Sequence, residues 1–384
     1  MRLSIIGPAY PLRGGIAHHV YWLHQEMAAR GHAVQVISFR KLYPSLLFPG
    51  TTQHDASDLK LDAGAEAILS PLNPVSWWRA ARAIERFAPD VVVVQWWQPF
   101  FAPLLGTLAR RLRRKGRRVI IECHNVSPHE GSPADRWLTR YGFRAADEFI
   151  VHARSDEERL RHLRPDRPIN LSPLPMLQEF EAATRGTRDG RRLLFFGKVR
   201  RYKGLDVLLE AMPKVLARIA CELLVVGEFY EDVETYQRLI GKHGIERHVQ
   251  IVNRYVTNEE VADFFAQADV LVLPYTSASQ SGVAQIALAN DLPVIAARAG
   301  GLCDSLNDGV DGLSFRPGDS DDLAEKIVSY FTNHYGPVFA ANLRARRLAG
   351  TACRIAEIIE SAARAHQGNR SINAQLNKGA DEIG

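Results

Sequence analysis

Cysteine is scarce in this chain, with four among 384 residues. Cys123, Cys221, Cys303 and Cys353 show no metal-type or disulfide-type spacing, so free thiols in a reducing compartment are expected. No run of about 18 apolar residues occurs, so no membrane-spanning helix is expected. The first residues, MRLSIIGPAYPLRGG, lack the long apolar segment of a secretory signal. A cytoplasmic protein is expected, with peripheral attachment to the inner face of the membrane as a further expectation. Carboxylates are missing from one conspicuous place, since none lies between Tyr275 and Asp291.

What is present is ordinary for a globular protein: 46% hydrophobic and 24% charged residues, with a formal net charge of +5. The length suggests two domains. Short apolar runs ending in glycine or proline alternate with helical periodicity. RLSIIG, AVQVISF, DVVVVQ, RVIIEC and EFIVHA read as buried parallel strands. Ile16, Val20, Leu23 and Met27 recur at helical spacing after the first of them. The stretch 171–192, with prolines, glycines and charges, breaks this rhythm and reads as a linker. LLFFG, CELLVVG, VQIVN, DVLVLP and PVIAA then restart it. The expected fold class is α/β, with two Rossmann-like, doubly wound parallel-sheet domains facing a cleft. ANLRARRLAGTACRIAEIIESAARAH (341–366) reads as helix, and the polar end as a disordered tail.

Four segments carry chemistry. In GPAYPLRGGIAHHV a strand runs through Gly14–Gly15 into a helix start, where backbone amides favour an anion. In FFGKVRRYKG, Lys198, Arg200, Arg201 and Lys203 gather beyond Gly197 at a strand exit, the ligand-binding edge of open α/β sheets. That suits a diphosphate. A solvated loop is the bland alternative. His124 follows the strand RVIIEC, with Asn125, His129 and Glu130 close by, and can be structural or face a ligand. In YTSASQSGVAQIALAND, Ser279, Ser281, Gly282 and Val283 precede a helix and fit a phosphate, although a serine N-cap alone would explain Ser281.

Together these segments resemble the GT-B-fold glycosyltransferases of family 4, over about residues 1–365 and in order. GGIAHHV resembles the family's glycine loop near the donor diphosphate. FFGKVRRYKG resembles its G-R-x-x-x-x-K-G segment, with Lys198 in place of Arg and Lys203 keeping the Lys. VVGEF, with Gly227 and Glu228, resembles its V-G-x-G turn, and His124 matches the histidine that faces the transferred sugar. Residues 269–301 are similar to the E-G-F-G-x-x-x-x-E motif. Counted back from Pro293 without gaps, however, its two glutamates fall at Ala278 and Ile286. Gln280 and Gln285 can offer hydrogen bonds there, but no charge.

The resemblance implies transfer of a sugar from a nucleotide-diphosphate sugar with retention of configuration, and needs no metal and no cofactor. It assigns His124, Lys198 and Lys203 to catalysis. The donor would be bound by Gly14, Gly15, Gly197, Arg200, Gly227, Glu228, Tyr255, Gln280, Ser281, Gly282, Val283 and Gln285. It divides the chain into an acceptor-side domain (1–170), the linker 171–192, a donor domain (193–345), a helix at 346–366 packing back on the first domain, and the tail 367–384. The acceptor is expected to be a glycan, a lipid-linked molecule or a small molecule. RRLRRKGRR (110–118), with seven basic residues in nine, suits an anionic membrane surface or simply a solvated helix face. A catalytically degenerate protein that binds nucleotide sugar or glycan is the alternative that the missing glutamates raise. An epimerase would need carboxylates near the sugar, and nucleic-acid binding has no supporting motif.

Overall fold

The computed structural model describes residues 1–43, 52–126, 133–180, 191–349 and 353–381, with side chains to residue 368. His129 and Glu130 lie outside the described residues, as does most of the second half of the expected linker. Among the described residues thirteen strands form two sheets, each parallel throughout.

The first sheet contains β1 (Arg2–Ile6), β2 (Ala33–Phe39), β3 (Glu66–Leu69), β4 (Val91–Trp96), β5 (Arg118–Cys123), β6 (Glu148–Val151) and β7 (Ile169–Leu171), in the order β3-β2-β1-β4-β5-β6-β7. The second contains β8 (Arg192–Phe196), β9 (Glu222–Val226), β10 (Val249–Val252), β11 (Val270–Leu273), β12 (Val294–Ala297) and β13 (Gly312–Phe315), in the order β10-β9-β8-β11-β12-β13. Strand order reverses between β1 and β4 and between β8 and β11. Such reversals splay the following loops apart and leave a crevice beyond the strand ends. The central strands are buried on both faces by helices, which is why they read as continuous apolar runs.

The C-terminal reading needs correcting. Residues 341–366 are not one helix: Tyr335–Leu348 ends before Gly350, and a second helix runs from Ile355 to Asp381. Ile355, Ala356, Ile359, Ala362 and Ala363 of that second helix pack against Leu3, Val91, Val93 and Ile120 of the first sheet. The helix also continues into the segment expected to be a disordered tail, because propagation from an anchored start costs far less than nucleation.

The basic run is largely used internally. Arg110 stacks on Tyr141 and donates to its carbonyl, Arg111 pairs with Glu85, Arg113 with Asp147 and Arg118 with Glu148, while Arg117 donates to the Pro89 carbonyl. Among the described residues no helix is long and apolar enough to cross a membrane.

Candidate active site

The two switch-point crevices face each other, and contacts between the sheets' loops hold them together. Arg13 pairs with Glu228 at 2.5 Å, both nearly buried. The Tyr255 hydroxyl donates to Asp55 at 2.9 Å, and the Asn258 amide donates to the other Asp55 oxygen at 2.9 Å. The Ser279 hydroxyl reaches the His124 carbonyl at 3.1 Å and the Asn125 side chain. Two cavities lie between the domains, of about 410 Å³ and 220 Å³, and share Gly15, Leu177, Tyr202 and Gly282 on their walls.

The larger cavity is the cationic one. β8 ends at Phe196, and Gly197 turns the chain into a loop that is pinned to the exit of β9 by the Val199 amide on the Glu228 carbonyl at 2.9 Å. This close approach needs a glycine at 227, where a Cβ would stand 2.1 Å from the Gly197 carbonyl oxygen. The Thr276 amide donates to the Tyr202 carbonyl at 2.7 Å, which ties this loop to the exit of β11. The result delivers Lys198, Arg200 and Lys203 to one wall.

Burial, reinforced by Arg13, Arg200 and Lys203 and opposed by Glu228, pushes the Lys198 amine down to about 8. Burial likewise lowers Lys203. Neither lysine has a carboxylate ion pair among the described residues; Lys203 lies over the Tyr275 ring and Lys198 over Tyr230. Opposite them stands the start of the helix Gly15–Ala29, with no acidic residue in its first turn and Gly14 at φ 126°, a conformation that favours glycine. Half-buried Lys198 and buried Lys203, without carboxylate partners and on the same cavity as the Gly14–Gly15 helix start, make a wall whose chemistry suits a multiply charged anion. Phe196, Val256, Val261, Val283 and Ile286 add apolar surface to the same cavity.

The smaller cavity is lined by His124, Ala278, Gln280 and Gln285. The Gln280 amide nitrogen is buried without a partner, and the Gln285 side chain makes no hydrogen bond among the described residues. Beneath His124 lies a network that sequence reasoning missed. Glu122, fully buried, accepts from His19 Nε2 at 2.8 Å and from the Gln95 amide at 2.7 Å, and His152 Nε2 stands 3.3 Å away. The two histidines hold the Glu122 carboxyl well below its usual range against the cost of burial.

Ring nitrogens of His19, His124 and His152 lie within 4.8 Å of one another, and no other described residues could hold a metal in this way.

Most expected site residues come together here. Gly14, Gly15, Gly197, Lys198, Arg200, Lys203, Gly227, Glu228, Tyr255, Gly282 and Val283 line the larger cavity, and His124, Gln280 and Gln285 the smaller. Ser281 does not: its hydroxyl accepts from the Ala284 amide as the N-cap of the helix Gly282–Ala289, and it reaches neither cavity. The Tyr255 hydroxyl is spent on Asp55, and Glu228 on Arg13. Arg13, His18 and His19 also line the site region without having been singled out. His18 is half-buried, and desolvation pushes its pKa down to about 4, so it stays neutral. Ala278 and Ile286, the positions that the gapless count gives to the two glutamates, line the smaller and larger cavity respectively.

Comparison with known proteins agrees with this geometry. Residues 14–174 match the family described as Glycosyl transferase 4-like domain, and residues 190–333 match Glycosyl transferases group 1. Between them the two matches take in every strand of both sheets except β1. The chain belongs to the family-4-like glycosyltransferases of the GT-B fold.

Among curated relatives of this GT-B chain, an uncharacterized glycosyltransferase of Methanocaldococcus jannaschii is 30% identical over 137 residues, 35% of this chain and 34% of that protein. The D-inositol 3-phosphate glycosyltransferase of Nocardiopsis dassonvillei is 30% identical over 204 residues, 48% of this chain and 47% of that protein. The chain thus spans about a third to a half of the length of these relatives. Among solved structures, Anabaena HepE in complex with UDP superposes with a TM-score of 0.69 over 98% of this chain and 100% of that one, at 16% identity.

Proposed function

We propose that the protein transfers a sugar from a nucleoside diphosphate sugar to an acceptor held on the N-terminal domain, with retention and without a metal. The observation that carries this is the pair of lysines without carboxylate partners among the described residues, Lys203 buried and Lys198 half-buried, on the same cavity as the Gly14–Gly15 helix start. Breaking a glycosidic bond to a diphosphate leaves negative charge on the departing group, and a preorganised cationic wall stabilises that charge as it develops. The apolar surface of the larger cavity would take the nucleoside, and the smaller cavity the sugar, with His124, Gln280 and Gln285 as its polar contacts. HepE, a protein of the same fold, was solved with UDP, which makes uridine the first base to try.

The acceptor would approach between Tyr43, Trp97 and Lys198, where a third cavity of about 180 Å³ opens beside Gly14 and Gly15. A glycan or a lipid-linked sugar could stack on those rings. Peripheral membrane attachment through 110–118 has less support than the run's charge suggests, because five of its seven cations are engaged within the protein.

A second reading is favoured by Ala278 and Ile286: a protein that binds the same donor without turning it over. Incubation with UDP-, GDP-, ADP- and TDP-sugars, with and without a membrane and glycan extract, separates the two. Transfer predicts release of one nucleoside diphosphate, accelerated at least tenfold by extract. Donor binding with no release in any arm would leave only the second reading.

A further inference from the structure

Gln95 and Glu122 are register partners at the ends of β4 and β5, without exposed surface, in strands built almost wholly of valine and isoleucine. Buried polar groups are kept where they are bonded, and these form a directed chain. An ionised carboxylate can only accept, so the Gln95 amide must turn its NH₂ toward Glu122, where Nε2 lies 2.7 Å from Oε2. That aims the Gln95 carbonyl oxygen at His124 Nε2, 2.5 Å away. An oxygen acceptor at that distance requires the proton on Nε2.

The chain is anchored at its other end. His152 Nδ1 donates to the Ser172 carbonyl at 2.9 Å with its Nε2 3.3 Å from Glu122, and His19 Nε2 donates to Glu122 at 2.8 Å. Gln95 has little freedom to turn, since a Cβ on Gly7 would meet its Cγ at 2.7 Å.

The His124 ring itself stays uncharged, because it is buried beside two other imidazoles. Its Nδ1 therefore keeps a bare lone pair. That atom makes no hydrogen bond among the described residues, and the ring lines the smaller cavity.

We propose that Gln95 is a positioning residue: it carries the orientation of the Glu122 carboxylate to His124 and fixes bare Nδ1 as a hydrogen-bond acceptor for a substrate hydroxyl. Substrate contact rests on the transferase reading, whereas the tautomer does not. The site then recognises a hydroxyl as donor, and a sugar analogue with fluorine or hydrogen in its place loses that contact.

The test is ¹⁵N NMR of histidine-labelled protein, with the His124 signals assigned by their disappearance in His124→Asn. The wild-type ring should show Nε2 protonated and Nδ1 bare. Gln95→Met, which keeps the volume and removes the acceptor, should abolish that preference. It should also lower kcat about tenfold with KM within about threefold, the effect of one hydrogen bond made in the transition state. Wild-type protein with the proton on Nδ1, or Gln95→Met with the wild-type tautomer, would overturn the proposal even if the protein proves to be an active transferase. The expected tautomers in a protein that turns over no sugar would uphold the positioning and count against the transferase reading alone.

Discussion

Replacing Lys203 by methionine should make the ligand-free protein more stable and nearly inactive. The amine is nearly buried, has no carboxylate partner among the described residues, and has its pKa lowered by burial and by Arg200. An uncompensated buried cation costs folding free energy. Methionine fills the volume of the stem without that charge and should gain on the order of 1 kcal/mol, seen as a higher melting temperature. The same charge is what a departing diphosphate requires. Losing one preorganised donor in such a site typically lowers kcat about 10²–10³-fold. Melting curves with and without nucleoside diphosphate, together with steady-state rates, check both halves. A variant that melts lower without ligand, or that keeps wild-type activity, contradicts the assignment.

Gly15→Val should separate binding from folding just as cleanly. Gly15 opens the helix Gly15–Ala29, and a Cβ built there meets nothing within 4 Å. Glycine in a helix is entropically costly, so substitution here should leave stability unchanged or raise it by a few tenths of a kcal/mol. Yet Gly15 lies on the wall of both cavities, where they join. The two methyl groups would occupy the space through which a diphosphate reaches the helix amides. Nucleotide affinity should fall about 100-fold, the loss of two or so charge-assisted hydrogen bonds, with an unchanged melting temperature. If affinity is retained, the anion does not sit at this helix start.

Much of the fold was readable because its central strands are short, near-continuous apolar runs, a pattern that buried parallel sheets force on a sequence. The cationic wall was readable for a related reason: Lys198, Arg200 and Lys203 follow directly after such a run, and strand exits at a switch point face the crevice. The histidine network was not, because its members come from four separate segments and only the sheet brings them together. Its one local trace is a polar residue near the end of two neighbouring apolar strands, Gln95 in VVVVQW and Glu122 in RVIIEC. Ser281 was misassigned for the opposite reason, since a helix-capping serine and a phosphate-binding serine look alike until the hydroxyl's partner is known. The break before Ile355 was hidden by alanines and arginines that sustain helical periodicity on both sides of it.

The most direct test of the diphosphate site is calorimetric titration of the wild-type protein with a nucleoside diphosphate and its monophosphate at pH 8, in buffers of different ionisation enthalpy. The second phosphate should meet the lysine wall and tighten binding about 30-fold. Lys198 titrates at about 8 in the free protein, so about half of it is uncharged at that pH. A bound anion favours its charged form, so the complex holds more protons than the free protein. Binding should take up about half a proton, and affinity should weaken as pH rises through 8. Equal affinity for the two nucleotides, with no proton uptake, would contradict the account.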